Sequence, residues 1–452
     1  MKPTLYLPCL LLSMLGLGSC KKFVEVSSPV NQLDANNVFT DDKTATAAVV
    51  GIYSEMEFYS PVSTYLTLLP GLSADELAYT SYDNAFSEFA NNSYTPGNPY
   101  VSSTWGIYRY VYEANSCIER IEKSHGLTPG ARNQLLGEAL FSRAFCYFYL
   151  VNFFGDVPLV SSTDYRITDT IGRTASAKVY QQIIADLQKA QSLLTADYPT
   201  GGRVRPNGWT ATALLARVYL YTGNWPAADA QASALIQSGQ YSLSDVGTVF
   251  LNSSNETIWQ LMPVIPSLNT QEASLFIPVS PGQIPTFPLT AGLIGAFEPG
   301  DARLSAWTDS TAVGTEEFYY PAKYKVSNGS PATEYHIAFR LAEQYLIRAE
   351  ARIHEGNIPG AMADLNIIRS RAGLGALSAS LAADAAMAAV LQERRLELFA
   401  ELGQRWLDLK RTNTVDAILN GAKPSWQGTA ALWPVPQDQR TVNPHLTQNK
   451  GY

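Results

Sequence analysis

The chain has few side-chain groupings that carry catalysis. Its four histidines are His125, His336, His354 and His445, and none pairs with another at metal-ligand spacing. HExxH is absent, as are GxSxG, a phosphate-cradling glycine loop and the dinucleotide glycine fingerprint. Gly373-Leu374-Gly375 is too short a glycine pattern to hold a phosphate. Adjacent carboxylates occur at Asp75-Glu76 and Glu316-Glu317. Glycoside hydrolysis needs two carboxyls facing each other across one bond, which order along the chain does not decide. Pairs adjacent in sequence are usually solvated loop charges. The expectation is therefore no catalytic residue, no metal and no cofactor.

One cysteine does point to chemistry. Lys2 is followed by an apolar run from Leu5 to Leu17, then Gly18-Ser19-Cys20. The run is too short to span a bilayer and reads as a signal peptide. Small residues directly before a cysteine resemble the bacterial lipobox, so Cys20 is the expected lipid attachment site. A plain secretory signal is the alternative. Cys9 leaves with the signal. Cys117 and Cys146 lie in apolar, helix-like patterns and read as small buried hydrophobes. No cysteine framework supports a disulfide between them.

Rings are the third candidate chemistry. The chain carries 25 Tyr, 17 Phe and 8 Trp. Two segments, about 59–102 and 240–335, hold rings without helical period: Tyr79, Tyr82, Phe86, Phe89, Tyr94 and Tyr100, then Phe276, Phe287, Trp307, Tyr319, Tyr320 and Tyr324. Rings without a period are not all absorbed by helix packing, so some should face solvent. A flat ring suits the apolar face of a sugar, and Asp75, Asn84, Asn91 and Asn92 suit its hydroxyls. Both segments are expected to converge on one shallow site, with Trp307 and Tyr82 as platforms. The expected ligand-binding set is Asp75, Tyr82, Asn84, Phe86, Tyr94, Trp307, Tyr319 and Tyr320. For any single ring, covering the core is the commoner fate.

These residues need a scaffold, and the chain can build one. Of 452 residues, 46% are hydrophobic, enough for a large core. The net charge of −8 argues against nucleic acid and against docking on anionic lipid. Asp41 and Asp42 open a helix continued by Val49, Tyr53 and Met56, and Trp105, Tyr108, Tyr112 and Ile121 mark another. Thr128-Pro129 caps and starts a long helix ending near Phe154, before Gly155 and Pro158. Tyr180, Ile183, Ile184 and Leu187 mark the next.

Leu214 to Ala230 and Leu346 to Ala363 then repeat one pattern, aligned through Gly223-Asn224-Trp225-Pro226 and Gly356-Asn357-Ile358-Pro359. Each reads as helix, Gly-Asn turn, helix, the pattern of tetratricopeptide pairs. Between them, Thr257–Leu261 reads as a short strand, and six prolines from Pro263 to Pro288 forbid regular helix. Helix resumes at Tyr335 and runs to about Leu419. Glu393, Arg394, Arg395, Glu397, Glu401, Arg405, Asp408, Lys410 and Arg411 are expected to form a structural ion network, with Arg394 and Arg395 meeting acids on neighbouring turns.

Several segments together resemble the SusD/RagB family of outer-membrane nutrient-binding lipoproteins. They are Ser142-Arg143-Ala144 through Asn152-Phe153-Phe154-Gly155-Asp156-Val157-Pro158-Leu159, Leu214 to Gly223, Arg348-Ala349-Glu350 to Gly356-Asn357, Asn366 to Gly373, Glu393 to Leu398 with Arg405 to Arg411, and Trp433-Pro434-Val435-Pro436 ending in Gln448 to Tyr452. One departure is Glu401-Leu402-Gly403, where the family more often places Glu directly before Gly; the extra Leu402 suggests a local shift at that helix end.

The resemblance implies a mostly all-α fold of tetratricopeptide-like pairs with an irregular binding region. The expected organisation is a signal peptide at 1–19, a lipidated N-terminus and tether at 20–40, and one globular domain at 41–452. It also implies a non-enzymatic surface lipoprotein of the outer membrane that delivers oligosaccharide to a SusC-like TonB-dependent transporter. A peptide-capturing member is the second reading and a glycoside hydrolase a distant third. The quoted motifs are structural, so they transfer no ligand contact.

Overall fold

Asp41 starts the first helix by accepting hydrogen bonds from the backbone N–H groups of Lys43 and Thr44. In this computed structural model, which describes residues 38–58 and 60–452, that helix is α1 (Asp42–Glu57). The signal peptide, Cys20 and most of the tether lie outside the described residues. Ala45, Val49, Ile52, Tyr53 and Met56 form its buried stripe.

In α2 (Tyr108–Lys123) the buried stripe runs through Tyr110, Val111, Ala114, Cys117, Ile118 and Ile121. Tyr112, expected on that stripe, is exposed. Thr128 caps α3 (Pro129–Phe154), with proline at N1 as the sequence indicates, and Gly155 ends it at φ 73°. Nearly every α3 residue from Gly137 onward is buried, so α3 is the central helix. Cys117 and Cys146 are both buried and free.

Six further helices extend the stack: α4 (Ser176–Leu193), α5 (Gly208–Tyr221), α6 (Trp225–Gln237), α7 (Leu341–His354), α8 (Ile358–Arg371) and α9 (Ala383–Glu397). Each packs on its predecessor from α2 onward, and α6 packs directly on α7 although the 240–335 insertion separates them in sequence. The two repeat turns match as expected. Gly223 and Gly356 take φ 70° and 80°, a left-handed conformation that glycine adopts without strain. Asn224 and Asn357 then cap α6 and α8 through their side-chain oxygens.

Both irregular regions contain more order than their composition suggests. Residues 59–102 hold short helices at Leu66–Ser73, Asn84–Ala90 and Pro99–Trp105. The last two are capped by Asp83 and Asn98. The insertion is closed at its base by antiparallel pairing of β1 (Thr257–Leu261) with β4 (His336–Arg340). Helix therefore resumes at Leu341 and not at Tyr335, because β4 is recruited as the partner of β1. Between them, β2 (Thr308–Val313) and β3 (Glu316–Pro321) form a hairpin.

A buried ionic network joins the insertion to the helical stack. Arg340 of β4 contacts Glu256 at 2.8 Å, Glu401 at 2.7 Å, and Glu397 of α9. Arg371 of α8 reaches Glu256 at 2.8 Å and also Glu397. Arg303 reaches Glu397 at 3.0 Å and Asp301 at 2.8 Å. Lys323 bonds Glu401. Burial alone would raise the Glu397 carboxyl, but Arg371, Arg340 and Arg303 hold it well below the usual carboxylate range.

Other charges from the 393–411 stretch also reach across elements, although Arg411 pairs with Asp408 at 2.8 Å within one helix. Arg394 pairs with Asp408 of α10 (Gln404–Arg411), and Arg395 with Asp75. Asp75 is not a solvated loop charge either: Arg405 and Arg395 hold it at 2.7 and 2.9 Å. Its neighbour Glu76 is buried, and its Oε1 has no hydrogen-bond partner among the described residues. Burial, then the Asp75 charge, pushes its carboxyl up to about 8.

Urea unfolding of three variants tests these assignments, one of them an exposed control. Glu397→Ala leaves three buried guanidiniums short of a counter-charge and should destabilise by about 3–5 kcal/mol in urea unfolding. Glu316→Ala, on the exposed hairpin, should change stability by less than about 0.5 kcal/mol. Glu76 is raised in the folded state, so the native protein keeps a proton there that the unfolded chain releases near the ordinary carboxylate pKa. Its contribution is complete at low pH and fades as pH rises toward about 8. Glu76→Gln should therefore unfold at a higher urea concentration than the parent at pH 9, with a smaller difference at pH 5. A gain that is equal at both pH values contradicts the buried neutral carboxyl.

Candidate functional site

The two ring-bearing segments do meet. Pro285 and Pro288 have no N–H to donate, and in this stretch each supplies a carbonyl instead. The Ala78 N–H donates to the Pro288 carbonyl at 2.8 Å, the Thr80 N–H to the Thr286 carbonyl at 3.2 Å, and the Thr80 hydroxyl to the Pro285 carbonyl at 2.6 Å. Leu77 and Leu289 form an antiparallel bridge. The Leu289 N–H donates to the Tyr319 carbonyl at 2.8 Å, which ties in the β2–β3 hairpin.

This pairing sets Tyr79 opposite Phe287, and their rings stack at 5.6 Å with planes 25° apart. Phe86, on the short Asn84–Ala90 helix, stacks on Tyr100 at 4.1 Å and 16°, and meets Phe287 edge-on at 5.3 Å. Tyr65 closes the group against Tyr100 at 5.2 Å. Phe287 is buried beneath, whereas Tyr65, Tyr79, Phe86 and Tyr100 are half-buried. Tyr82 stands clear of the surface at 95% exposure.

Asp83 organises the polar edge of this cluster. One carboxylate oxygen caps the short helix by accepting from the Ala85 N–H at 2.8 Å, and the other accepts from the Tyr100 hydroxyl at 2.8 Å. Its own N–H donates to the Tyr79 hydroxyl at 2.6 Å. Burial and then the nearby Asp83 charge push the Tyr65 and Tyr100 hydroxyls up, so both stay protonated. The arrangement is a ring surface edged by oxygen atoms, suited to an apolar face with hydroxyls around it.

The expected residues divide. Tyr82 and Phe86 lie in or beside the cluster. Asn84 is exposed on the first turn of the same short helix. Trp307 is no exposed platform: it is 1% exposed, its indole N–H donates to the Val246 carbonyl at 2.7 Å, and its ring lies within 5.7 Å of Lys323, Arg340 and Arg371. Tyr94 is buried too, its hydroxyl bonded to Ser73 and Asn92, which places Asn92 inside as well.

Asp75 has its carboxylate occupied by Arg405 and Arg395. Tyr319 is half-buried and donates to Glu317 at 3.1 Å. Tyr320 is largely buried on the opposite face of β3, donates to Asp309 at 3.0 Å, and is pushed up to about 12 by burial and by that carboxylate. Tyr320, Asp309 and Lys325 line a separate recess of about 380 Å³. Asp83 and Tyr65 escaped the sequence reading. Asp83 carried one signal, an Asp two residues before an alanine at the start of a short helical run.

A groove of about 440 Å³ between α1 and α2 has an apolar floor edged by Glu55, Glu113 and Arg120, and contains none of the expected residues. Among the described residues, no three His, Cys, Asp or Glu side chains converge in a way that holds a metal ion. No described helix is long and apolar enough to cross a membrane.

Comparison with known proteins fits this architecture. A family profile described as "Starch-binding associating with outer membrane" matches residues 22–220, and the SusD family profile matches residues 303–452. SusD-like protein P2 of Formosa agariphila is 27% identical, with 98% of each chain covered. SusD-like protein P25 of the same organism is also 27% identical, over 54% of this chain, which spans about half (49%) of that relative. A laminarin-binding SusD-like protein of known structure superposes with a TM-score of 0.79 at 24% identity, covering 92% of this chain and all of the other. Two SusD-type profiles that together cover most of the chain, a relative matched end to end and the shared helical fold place this chain in the SusD/RagB family.

Proposed function

We propose that this protein is an outer-membrane lipoprotein that captures oligosaccharides on the Tyr79–Phe86–Tyr100 surface and passes them to a SusC-like TonB-dependent transporter. The observation that carries this reading is the pairing of residues 77–80 with 285–289. It turns two distant, aperiodic segments into one half-exposed ring surface with Asp83 at its edge. The family is one of carbohydrate binders, and the laminarin-binding relative shares the fold. In this reading the protein binds and does not cleave, residues 41–452 form one SusD-like unit, and residues 20–40 tether it to lipid through Cys20.

Ring stacking makes the site testable. Tyr82→Ala and Phe86→Ala should each weaken binding of the glycan selected from a neutral polysaccharide panel by about 1–3 kcal/mol, by analogy with base stacking on aromatics. Tyr82→Ala should leave the melting temperature unchanged, because the ring is exposed. Trp307→Ala, by contrast, should cost about 3–5 kcal/mol of folding stability as a large buried ring is lost. Normal glycan binding by both Tyr82→Ala and Phe86→Ala would move the site elsewhere.

The anchor is tested separately. Cys20→Ala should abolish incorporation of labelled fatty acid and release the protein from the membrane fraction. Continued labelling of the variant would overturn Cys20 as the attachment residue.

A further inference from the structure

We propose that the ring site selects uncharged glycans and rejects uronate- and sulfate-bearing ones, with Asp83 as the residue that sets this selectivity; the inference rests on the glycan reading above. Among the described residues, no cation pairs with Asp83: its carboxylate is held by the Tyr100 hydroxyl and the Ala85 N–H alone. It is exposed at the rim of the rings.

The surrounding sequence supplies no compensating charge. Residues 74–100 contain four carboxylates and no Lys or Arg. Residues 277–325 contain five carboxylates and three cations, of which Arg303 and Lys323 are buried in the ionic network. Arg395 and Arg405, which approach from the helical stack, are both committed to Asp75. Of the cations within these two segments, that leaves Lys325 exposed, at the separate recess beside Asp309.

Hydrogen-bond polarity points the same way. The Tyr100 hydroxyl spends its proton on Asp83, so the pair offers acceptors outward. Acceptors suit a ligand edged with hydroxyl donors. A carboxylate or sulfate has only acceptors to present, and it meets a like charge across a surface from which the bound chain excludes water, where repulsion is stronger.

The test uses affinity gel electrophoresis of the full-length protein in mild detergent. The gels contain laminarin, galactomannan, arabinoxylan, alginate, polygalacturonate or chondroitin sulfate. Each neutral polysaccharide that retards the protein is then supplied with part of its primary hydroxyls (C6 of hexoses, C5 of arabinofuranose) oxidised to carboxylate. At low ionic strength the oxidised form should bind at least tenfold more weakly than its parent. Raising the salt should narrow that gap, because the Debye length falls to about 3 Å at 1 M. Asp83→Asn should recover at least threefold of the loss, whereas Asp197→Asn, the same charge change at an exposed position outside both segments, should recover none.

Equal binding of the oxidised and parent forms overturns the inference and leaves the glycan reading standing. So does stronger retardation by alginate, polygalacturonate or chondroitin sulfate than by every neutral polysaccharide. Weak binding of the oxidised form that Asp83→Asn does not relieve overturns the assignment to Asp83. Retardation by no polysaccharide in the panel overturns the glycan reading together with this one.

Discussion

Glu397 receives three arginines from three different places: Arg303 from the insertion, Arg340 from β4 and Arg371 from α8. Charges taken so far from water are costly, and their mutual attraction offsets that cost only when the geometry is fixed. The network therefore acts less as a source of net stability than as a constraint on where its elements can sit. It admits one placement of the insertion against the helical stack, because any other strands several buried charges. Glu256 and Glu401 extend it to the base of β1 and to the end of α9, so the root of the ring-bearing segment and the last helices are fixed together.

That constraint reaches the ring surface through short steps. Lys323 and Arg340 bring the chain following β3 into the network, and β3 bonds the 286–289 segment through Leu289. The 286–289 segment in turn pairs with residues 77–80, and Asp75 next to them is pinned by Arg405 and Arg395. Both segments are thus tied to the helical stack, and Tyr82, just beyond their pairing, stands exposed. A surface held this way is preorganised, since its half-buried rings are already stacked on each other.

The helical stack was readable because helices advertise themselves locally. Thr128-Pro129 and the two Gly-Asn turns mark boundaries through backbone chemistry that needs no tertiary partner, and they fall where the sequence indicates. What escaped depended on residues distant in sequence. The strand His336–Arg340 reads as helix until Thr257–Leu261 is known to lie beside it. Arg394 and Arg395 sit at good spacing for neighbouring turns, yet their partners are Asp408 and Asp75 on other elements. Leu402 carried a hint of another kind. The displaced glycine accompanies a left-handed turn in which Ala400 and Leu402 take φ 49° and 45°, costing of order 1 kcal/mol each. The Leu402 N–H donates to the Thr67 hydroxyl there, fixing the turn to the short helix Leu66–Ser73.

The rings show why aperiodicity alone misplaces a binding residue. Trp307 and Tyr82 looked alike in sequence, two large rings in irregular chain, and they lie at opposite extremes of exposure. An aperiodic ring is free of helix packing but not of other demands. Trp307 lies on the chain that carries Arg303 and Lys323 into the network, and buried cations draw an aromatic face over themselves. Tyr82 lies where residues 74–100 have no cation at all, with Asp83 as its next neighbour. Asp83 accepts hydrogen bonds from the Ala85 N–H and the Tyr100 hydroxyl, and the Tyr82 ring beside it stays at 95% exposure. Cations are only part of the reason, since Phe89 and Tyr94 lie in the same cation-free stretch as Tyr82 and are buried by packing against Trp433.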